Sequence, residues 1–159
     1  MSLPRMHRQS DRGAAAPASA VTVALAMVSV TGSAEEAVAT TLRYSAAEPF
    51  LVRANFRLSG GRTVDWVLSR ELIREGVVMA AGIGDIRFFP GDDGLLIELR
   101  SHQGRAFLYG ELQPMADFVD RMYALVPDGA EHRFYSIDDE LAGLGRLLAD
   151  PDRYRTDSA

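Results

Sequence analysis

The stretch from Arg62 to Pro90 most constrains the fold, because the patterns of a strand, a short helix and a second strand follow one another within it. From Arg62 to Ser69 the side chains alternate between two faces, which is the period of a strand with one buried side. This strand carries Trp66, the single tryptophan of the chain. A tryptophan that faces a core can bury on the order of 200 Å² of surface. The pattern therefore predicts that Trp66 is a core anchor.

A short helix is predicted directly after this strand. The Ser69 side chain can accept a hydrogen bond from the free N–H groups of a helix start, and Glu71 puts negative charge into the first turn. Gly76 is suited to end the helix after about two turns. The next residues, 77–79 (Val-Val-Met), predict that the chain becomes extended again.

A second strand closes the stretch. Gly82 and Gly84 interrupt the apolar run and favour a bulge or a bend. Residues 85–89 have strand character, and Pro90 should close that strand because proline cannot donate a ladder hydrogen bond. The predicted structural anchors of the stretch are therefore Trp66, Gly76, Gly82, Gly84 and Pro90.

Short strands dominate the first two thirds of the chain. Residues 21–27 alternate in strand fashion, and further strands separated by turn residues are predicted at 38–44, 50–58, 95–100 and 105–109. Seven or eight strands thus precede any long helix. This order predicts an α+β fold with antiparallel β-sheets, one short helix between strands, and helices segregated to one side.

The C-terminal part of the chain predicts two amphipathic helices. Pro114 is well placed as a first helical residue. The apolar stripe of the first helix consists of Met115, Phe118, Val119, Met122, Tyr123 and Val126. Ser136 and Asp139 resemble a capping box at the start of the second helix. The stripe of the second helix consists of Ile137, Leu141, Leu144 and Leu148.

The expected organisation is a disordered tail over residues 1–20, one domain over 21–150 and a frayed end over 151–159. The tail has almost no large apolar side chain, so it cannot bury enough surface to offset the entropy of ordering. The rival interpretation is a secretory signal with a basic start, an apolar core over residues 20–30 and a small-residue cleavage site. The alternation in that core fits a strand better than a leucine-rich signal.

Composition excludes several classes of protein. The chain has no cysteine, which rules out disulfides, thiol catalysis, iron–sulfur clusters and cysteine zinc sites, and which is compatible with a reducing cytoplasm. The net charge is −5, and without the +2 of the N-terminal tail the body carries −7. An acidic body argues against non-specific nucleic-acid binding. No segment has the length and apolarity of a membrane span.

No strong motif for a cofactor, a metal or catalysis is present. Residues 82–85, Gly-Ile-Gly-Asp, begin like a dinucleotide loop but lack the third glycine and lead into a strand. A small acid/base enzyme would need a pocket that unites Asp85, Glu98 and His102, and no spacing requires one. For His132 we expect a local hydrogen bond that fixes its turn. No catalytic, cofactor-binding or metal-binding residue is therefore predicted.

The charged helix after Ser69 is the candidate partner surface. It carries Arg70, Glu71, Arg74 and Glu75, with Glu71 and Arg74 at a favourable i, i+3 spacing. The alternative is a charged face that is merely solvated. We expect Arg70 and Arg74 to be exposed, so that reversal of both charges should change stability by only tenths of a kcal/mol.

A series of short segments forms a specific pattern between about Val21 and Leu148. The segments are Leu42-Arg43-Tyr44 with Glu48-Pro49-Phe50, Trp66 to Ile73 with Glu75-Gly76, Gly82 to Arg87, and Val126-Pro127 with Gly129 and Glu131-His132. In this order and spacing they resemble the SsgA-like family of actinobacterial sporulation and cell-division proteins. The chain departs from the family pattern at Tyr44-Ser45, at Glu48-Pro49-Phe50 and at Asp128, and its N-terminal tail is extra.

The resemblance implies a non-enzymatic protein that acts in septum-site selection or septum assembly during sporulation, by recruiting or positioning division machinery such as FtsZ. It also implies a homotrimer of whirly-like fold, SsgA-like paralogues as partners, and a cytoplasmic location at the division septum. A single-stranded nucleic-acid-binding protein of that fold is the main alternative, but fold is a poor guide to function and a basic groove would be required. A small acid/base enzyme is the third interpretation.

Overall fold

The computed structural model of the protein describes the backbone of residues 19–148 and, within that range, all side chains except those of residues 143 and 146–148. The predicted tail lies outside the described residues apart from Ser19 and Ala20, which lead into the first strand. The predicted frayed end lies outside them as well.

Seven strands form one antiparallel sheet in the order β4-β3-β2-β1-β7-β6-β5. The strands are β1 (Ala20–Ser29), β2 (Glu36–Ser45), β3 (Leu51–Leu58), β4 (Thr63–Ser69), β5 (Ile86–Pro90), β6 (Gly94–Ser101) and β7 (Gly104–Glu111). The helices are α1 (Arg70–Gly76), α2 (Leu112–Leu125), a 3-10 turn (Glu131–Arg133) and α3 (Ile137–Leu148). The predicted α+β class, with an antiparallel sheet and a short helix between strands, is confirmed.

The central strand is β1, which pairs with β2 along its whole length and with β7 only from Met27 to Ser29. Its alternating small and large side chains are those of a strand with one buried face, as predicted. At the sheet's ends, β4 is an open edge, whereas the outer side of β5 is bonded to Ala81. Among residues 19–148, no helix is long and apolar enough to cross a membrane.

One face of the sheet carries the core. Across the strands, Leu42 lies opposite Ala54 and Ala54 lies opposite Trp66, so all three side chains share this face. The apolar stripe of α2 packs here, and its Phe118 is fully buried. Burial of a phenylalanine stabilises the fold by roughly 1.5–3 kcal/mol. The sheet and α2 therefore form two packed layers.

The prediction that Trp66 is a central core anchor is only partly right. Its side chain is half-buried and packs against the margin of the core. The reason is the strand order, because β4 is the edge strand and a residue there has neighbours on one side only. The largest fully buried side chains are instead Tyr44, Phe88 and Phe118.

The N-terminus of α1 forms as predicted, but the extended segment predicted to follow the helix does not form. Ser69 is the N-cap, and its Oγ accepts a hydrogen bond from the Leu72 N–H at 3.4 Å. The extended run predicted at residues 77–79 is wrong. The N–H groups of Val78 and Met79 both donate to the Glu75 carbonyl, which continues the turn and leaves both side chains exposed.

Two glycines, one at the end of α1 and one in the segment after it, allow the chain to approach β5 closely. A Cβ atom on Gly76 would lie 2.6 Å from the ring of Phe88 in β5, which is far inside normal contact. Gly82 has a φ of 109°, and a Cβ there would lie 2.2 Å from the Ile86 carbonyl oxygen. Both positions thus need glycine for steric reasons. They allow α1 and the segment after it to lie against β5, and Pro90 ends β5 opposite Leu95.

Candidate partner-binding surface

The guanidinium of Arg70 is the centre of the region around α1. Its Nη1 donates to the Tyr44 hydroxyl at 2.7 Å and to the Val126 carbonyl at 2.9 Å, and its Nη2 donates to Glu131 Oε1 at 2.8 Å. The group also lies over the Tyr123 ring, 4.0 Å from its centroid. One side chain therefore ties together β2, α1, the end of α2 and the 3-10 turn.

Arg70 is only 2% exposed, so the expectation that it lies on the solvated face is wrong. It occupies the first position of α1, and this position faces inward, where the planar guanidinium finds partners in several directions. A buried arginine whose donors are matched in this way is structural. Its function is to fix α1 on the body, and any binding role falls to the residues that follow it.

Tyr44 shares the buried site. Its hydroxyl donates to the Pro49 carbonyl at 2.9 Å while accepting from Arg70, and the residue is fully buried. Burial raises the pKa of Tyr44 above its ordinary value, and the nearby Arg70 charge offsets only part of that rise. The phenol is therefore neutral, and its two hydrogen bonds connect Arg70 to the loop before β3.

The exposed half of α1 carries the other three predicted surface residues. Arg74 pairs with Glu71, and it also donates to Asp128 Oδ2 at 3.0 Å. Glu71 in turn accepts from the Tyr123 hydroxyl at 2.9 Å. Glu75 is exposed. These groups form a charged surface that contains one arginine and several carboxylates, so it is acidic overall.

An apolar border next to α1 was missed by the sequence interpretation. Val78, Met79 and Ile83 are all exposed, and Ile83 reaches 95% exposure. The sequence signal for this exposure was the position of Ile83 between Gly82 and Gly84, since a buried strand would not need glycines on both sides of an apolar residue. We define the α1 surface as Glu71, Arg74, Glu75, Val78, Met79 and Ile83. Its mixture of apolar and charged groups is typical of partner-binding sites.

Of the residues considered for acid/base catalysis, Glu98 is held in ion pairs, whereas Asp85 and His102 are exposed. Glu98 is buried against Arg100 and Arg105, with oxygen–nitrogen distances of 2.8 and 3.1 Å. The hydrogen bond from Arg100 holds the pKa of Glu98 below its ordinary value, with help from the Arg105 and Arg87 charges. His102 lies exposed in the β6–β7 turn. Paired to arginines and ionised, Glu98 is poorly suited to accept or donate a proton near neutral pH.

His132 and Ser136 have local roles. The Nδ1 atom of His132 lies 3.0 Å from the Gly129 carbonyl oxygen, in the turn-fixing position expected for it. The side-chain oxygen of Ser136 accepts from the Asp139 N–H at 3.3 Å and caps α3. In the part of the chain that the structure describes, no cluster of three metal-ligating side chains occurs.

Comparison with known proteins identifies the family. Residues 38–131 match the family model described as "Streptomyces sporulation and cell division protein, SsgA". The chain is 37% identical over 107 residues to the sporulation-specific cell division protein SsgB of Streptomyces coelicolor, across 65% of this chain and 78% of that protein. The chain therefore belongs to the SsgA family of sporulation and cell division proteins.

Solved structures agree with this assignment. The structure reported as "Mutations in SsgB correlate to longitudinal cell division during sporulation of Streptomyces coelicolor" superposes with a TM-score of 0.68 at 34% identity, covering 73% of this chain and 95% of that one. The SsgA-like sporulation-specific cell division protein of Thermobifida fusca gives a TM-score of 0.70 at 30% identity, covering 79% and 95% of the two chains.

Three of the four segments that resemble the family meet in space at Arg70. Tyr44 comes from the first segment, Arg70 from the Trp66 segment, and Val126 and Glu131 from the last one. Pro49, which accepts from Tyr44, comes from the segment before β3. Because they are far apart in sequence, only the fold brings them together. The family pattern thus coincides with the structure that supports the α1 surface.

Proposed function

We propose that the protein acts without catalysis in septum-site selection or septum assembly during sporulation, by binding a component of the division machinery such as FtsZ. Family membership supports the process. The observation that carries the binding role is the α1 surface, an exposed charged and apolar patch on a helix held in place by buried Arg70. Because α1 is already held in place, less conformational entropy would be lost when a partner binds to it.

The proposal includes a cytoplasmic location at the division septum and a homotrimer that associates with SsgA-like paralogues. The open edge of β4 supports self-association, because Val64 and Val67 are exposed there and an unpaired edge strand favours association. A homotrimer would have a mass of about 52 kDa, three times the 17.3 kDa of one chain.

Live-cell imaging of a fluorescent fusion tests the septal role. In sporulating cells that lack the native copy, the fusion should concentrate at sporulation septa. A double variant of the α1 surface, Arg74→Glu with Met79→Asp, should be folded and lose septal placement. The matched control Arg57→Glu changes an exposed arginine on the opposite sheet face and should localise normally.

The outcomes separate the parts of the proposal. Diffuse fluorescence of the native protein would contradict a septal role. Normal septal placement of the double variant, with an unchanged melting temperature, would show that the binding surface lies away from α1. Arg70 is excluded from the test because its substitution would perturb the fold.

A further inference from the structure

The sheet face opposite the core carries a row of apolar side chains across one half of the sheet. Met27 of β1 is buried in the core, so its neighbour Val28 points to the opposite face. On this opposite face, Tyr109 and Phe89 are 49% and 39% exposed. Neighbouring strands are about 4.8 Å apart, so a row across four strands is about 14 Å long. In register across β1, β7, β6 and β5, the row consists of Val28, Tyr109, Leu96 and Phe89.

The Tyr109 side chain lies over β6, where Gly94 leaves room for it. A Cβ atom on Gly94 would lie 2.0 Å from the Tyr109 hydroxyl oxygen and 2.6 Å from a carbon of its ring. Any side chain at Gly94 would therefore displace the ring, and half of the Tyr109 surface remains exposed. Exposed apolar side chains that form a contiguous row with a polar border are typical of interaction sites.

Three arginines and one glutamate border this row on the same face. Arg87 pairs with Glu98 across β5 and β6, and Arg100 pairs with Arg105 across β6 and β7. The Nε atoms of Arg100 and Arg105 lie 2.8 and 3.1 Å from Glu98 Oε1, and their side chains are 36% and 55% exposed. One carboxylate faces three guanidinium groups, so the cluster has a net charge of +2. We define the sheet surface as this cluster together with the apolar row.

The positive charge of the sheet surface contrasts with the rest of the protein. Residues 21–159 carry −7 in total, and the α1 surface is acidic. A ligand that fits the sheet surface must therefore combine negative charge with apolar groups. Single-stranded nucleic acid fits less well, because it needs a basic groove along its backbone and aromatic rings for its bases. The neighbouring part of this face, on β1 and β2, carries uncharged small side chains such as Ala24, Ala26 and Ala39.

The distance between the apolar row and the arginines matches the repeat of an extended peptide. Arg105 lies four residues before Tyr109 on β7, and both side chains are on the same face. Four residues of a strand span about 13 Å. An extended peptide has the same repeat, so side chains four positions apart are again about 13 Å apart on one face. A peptide along β7 could thus place an apolar side chain on the row and a carboxylate at the arginines.

We propose that the sheet surface binds an acidic segment of a partner protein. The apolar side chains of that segment lie on the row at Tyr109, and its carboxylates accept hydrogen bonds from Arg100 and Arg105, whose guanidinium groups can bind a carboxylate through two donors. The surface is separate from the α1 surface and has the opposite charge. One copy of the protein would therefore have separate surfaces for two different partners.

Fluorescence anisotropy with the full chain at low salt tests the proposal. The probe is a labelled peptide with central leucines and with glutamates four positions to either side, and a second peptide has lysines in place of the glutamates. The first peptide should bind, and the second should not. Arg105→Ala and Tyr109→Ala should each weaken binding of the first about tenfold. The matched control Arg57→Ala removes an exposed arginine of the same face, on β3, and should bind like the native protein.

Each other result contradicts the proposal at a defined point. Absence of binding by the glutamate peptide would overturn it, and equal binding of both peptides would show that negative charge is not recognised. Native affinity of the Arg105→Ala variant, whose exposed site should leave the fold intact, would show that the peptide binds elsewhere. Tighter binding of a single-stranded oligothymidine, lost in the same variant, would assign the surface to nucleic acid instead. Septal placement of the α1 variants is a separate measurement, so failure here leaves the proposed function unaffected.

Discussion

Arg70 and Glu131 are 61 positions apart in sequence, and their side chains meet at 2.8 Å. The ion pair joins the first residue of α1 to the 3-10 turn after α2, and both partners are largely withdrawn from solvent. It is one of several contacts of the same guanidinium, which also reaches Tyr44 and Val126. Arg70 therefore helps to orient α1, and with it the α1 surface, together with the buried Ile73 and Gly76 of the same helix.

Replacement of Arg70 should therefore destabilise the protein. Arg70→Ala leaves the Val126 carbonyl and Glu131 without their donor, and loss of one partner of a buried pair costs about 3–5 kcal/mol. Arg74→Ala, four residues further on the exposed side, should cost less than about 1 kcal/mol. Denaturant unfolding of both variants measures the difference. Equal stabilities would contradict the structural role of Arg70.

Arg70→Lys distinguishes charge from geometry. A lysine keeps the positive charge but cannot direct planar donors to Tyr44, Val126 and Glu131 at once. We expect its free energy of unfolding to lie much closer to that of Arg70→Ala than to that of the native protein. A lysine variant of native stability would mean that the charge alone is sufficient.

Gly76→Ala should destabilise the protein through overpacking. The added methyl group would lie 2.6 Å from the Phe88 ring, and forcing extra atoms into a packed core costs about 1–3 kcal/mol. Gly145→Ala is the matched control, because a Cβ there meets nothing within 4 Å and alanine favours a helix interior. Thermal unfolding should thus show a lower melting temperature for the first variant and no loss for the second. The opposite order would contradict the packing of α1 on β5.

Glu98 should make stability depend on acid pH. Its folded pKa is depressed by the hydrogen bond to Arg100 and by the neighbouring arginines, so folding favours the ionised form. The resulting stabilisation is complete above the ordinary pKa of 4.5 and is lost as the pH falls through the lower, folded value. Glu98→Gln should therefore be less stable than the native protein near pH 7, and this difference should shrink in strong acid. A difference that does not vary with pH would contradict the assignment.

Local features of the chain were predictable from sequence because they depend on near neighbours. The strands follow from the alternation of apolar and polar side chains, and the apolar stripe of α2 follows from helical spacing. The Ser69 cap follows from a hydroxyl side chain directly before a helical segment. The family was also predictable, since its segments are read along the chain. The exposed Ile83 could have been found from its two flanking glycines.

The tertiary structure decided which of these residues are buried, because burial depends on strand order and on partners distant in sequence. A helix pattern places Arg70 and Arg74 one turn apart, but only the fold brings Tyr44, Val126 and Glu131 to Arg70 and buries it. Alternation predicts that Trp66 points to the core face, but the edge position of β4 leaves it half-buried beside a cleft. Periodicity specifies a direction for each side chain, and the packing of distant elements determines what that side chain meets.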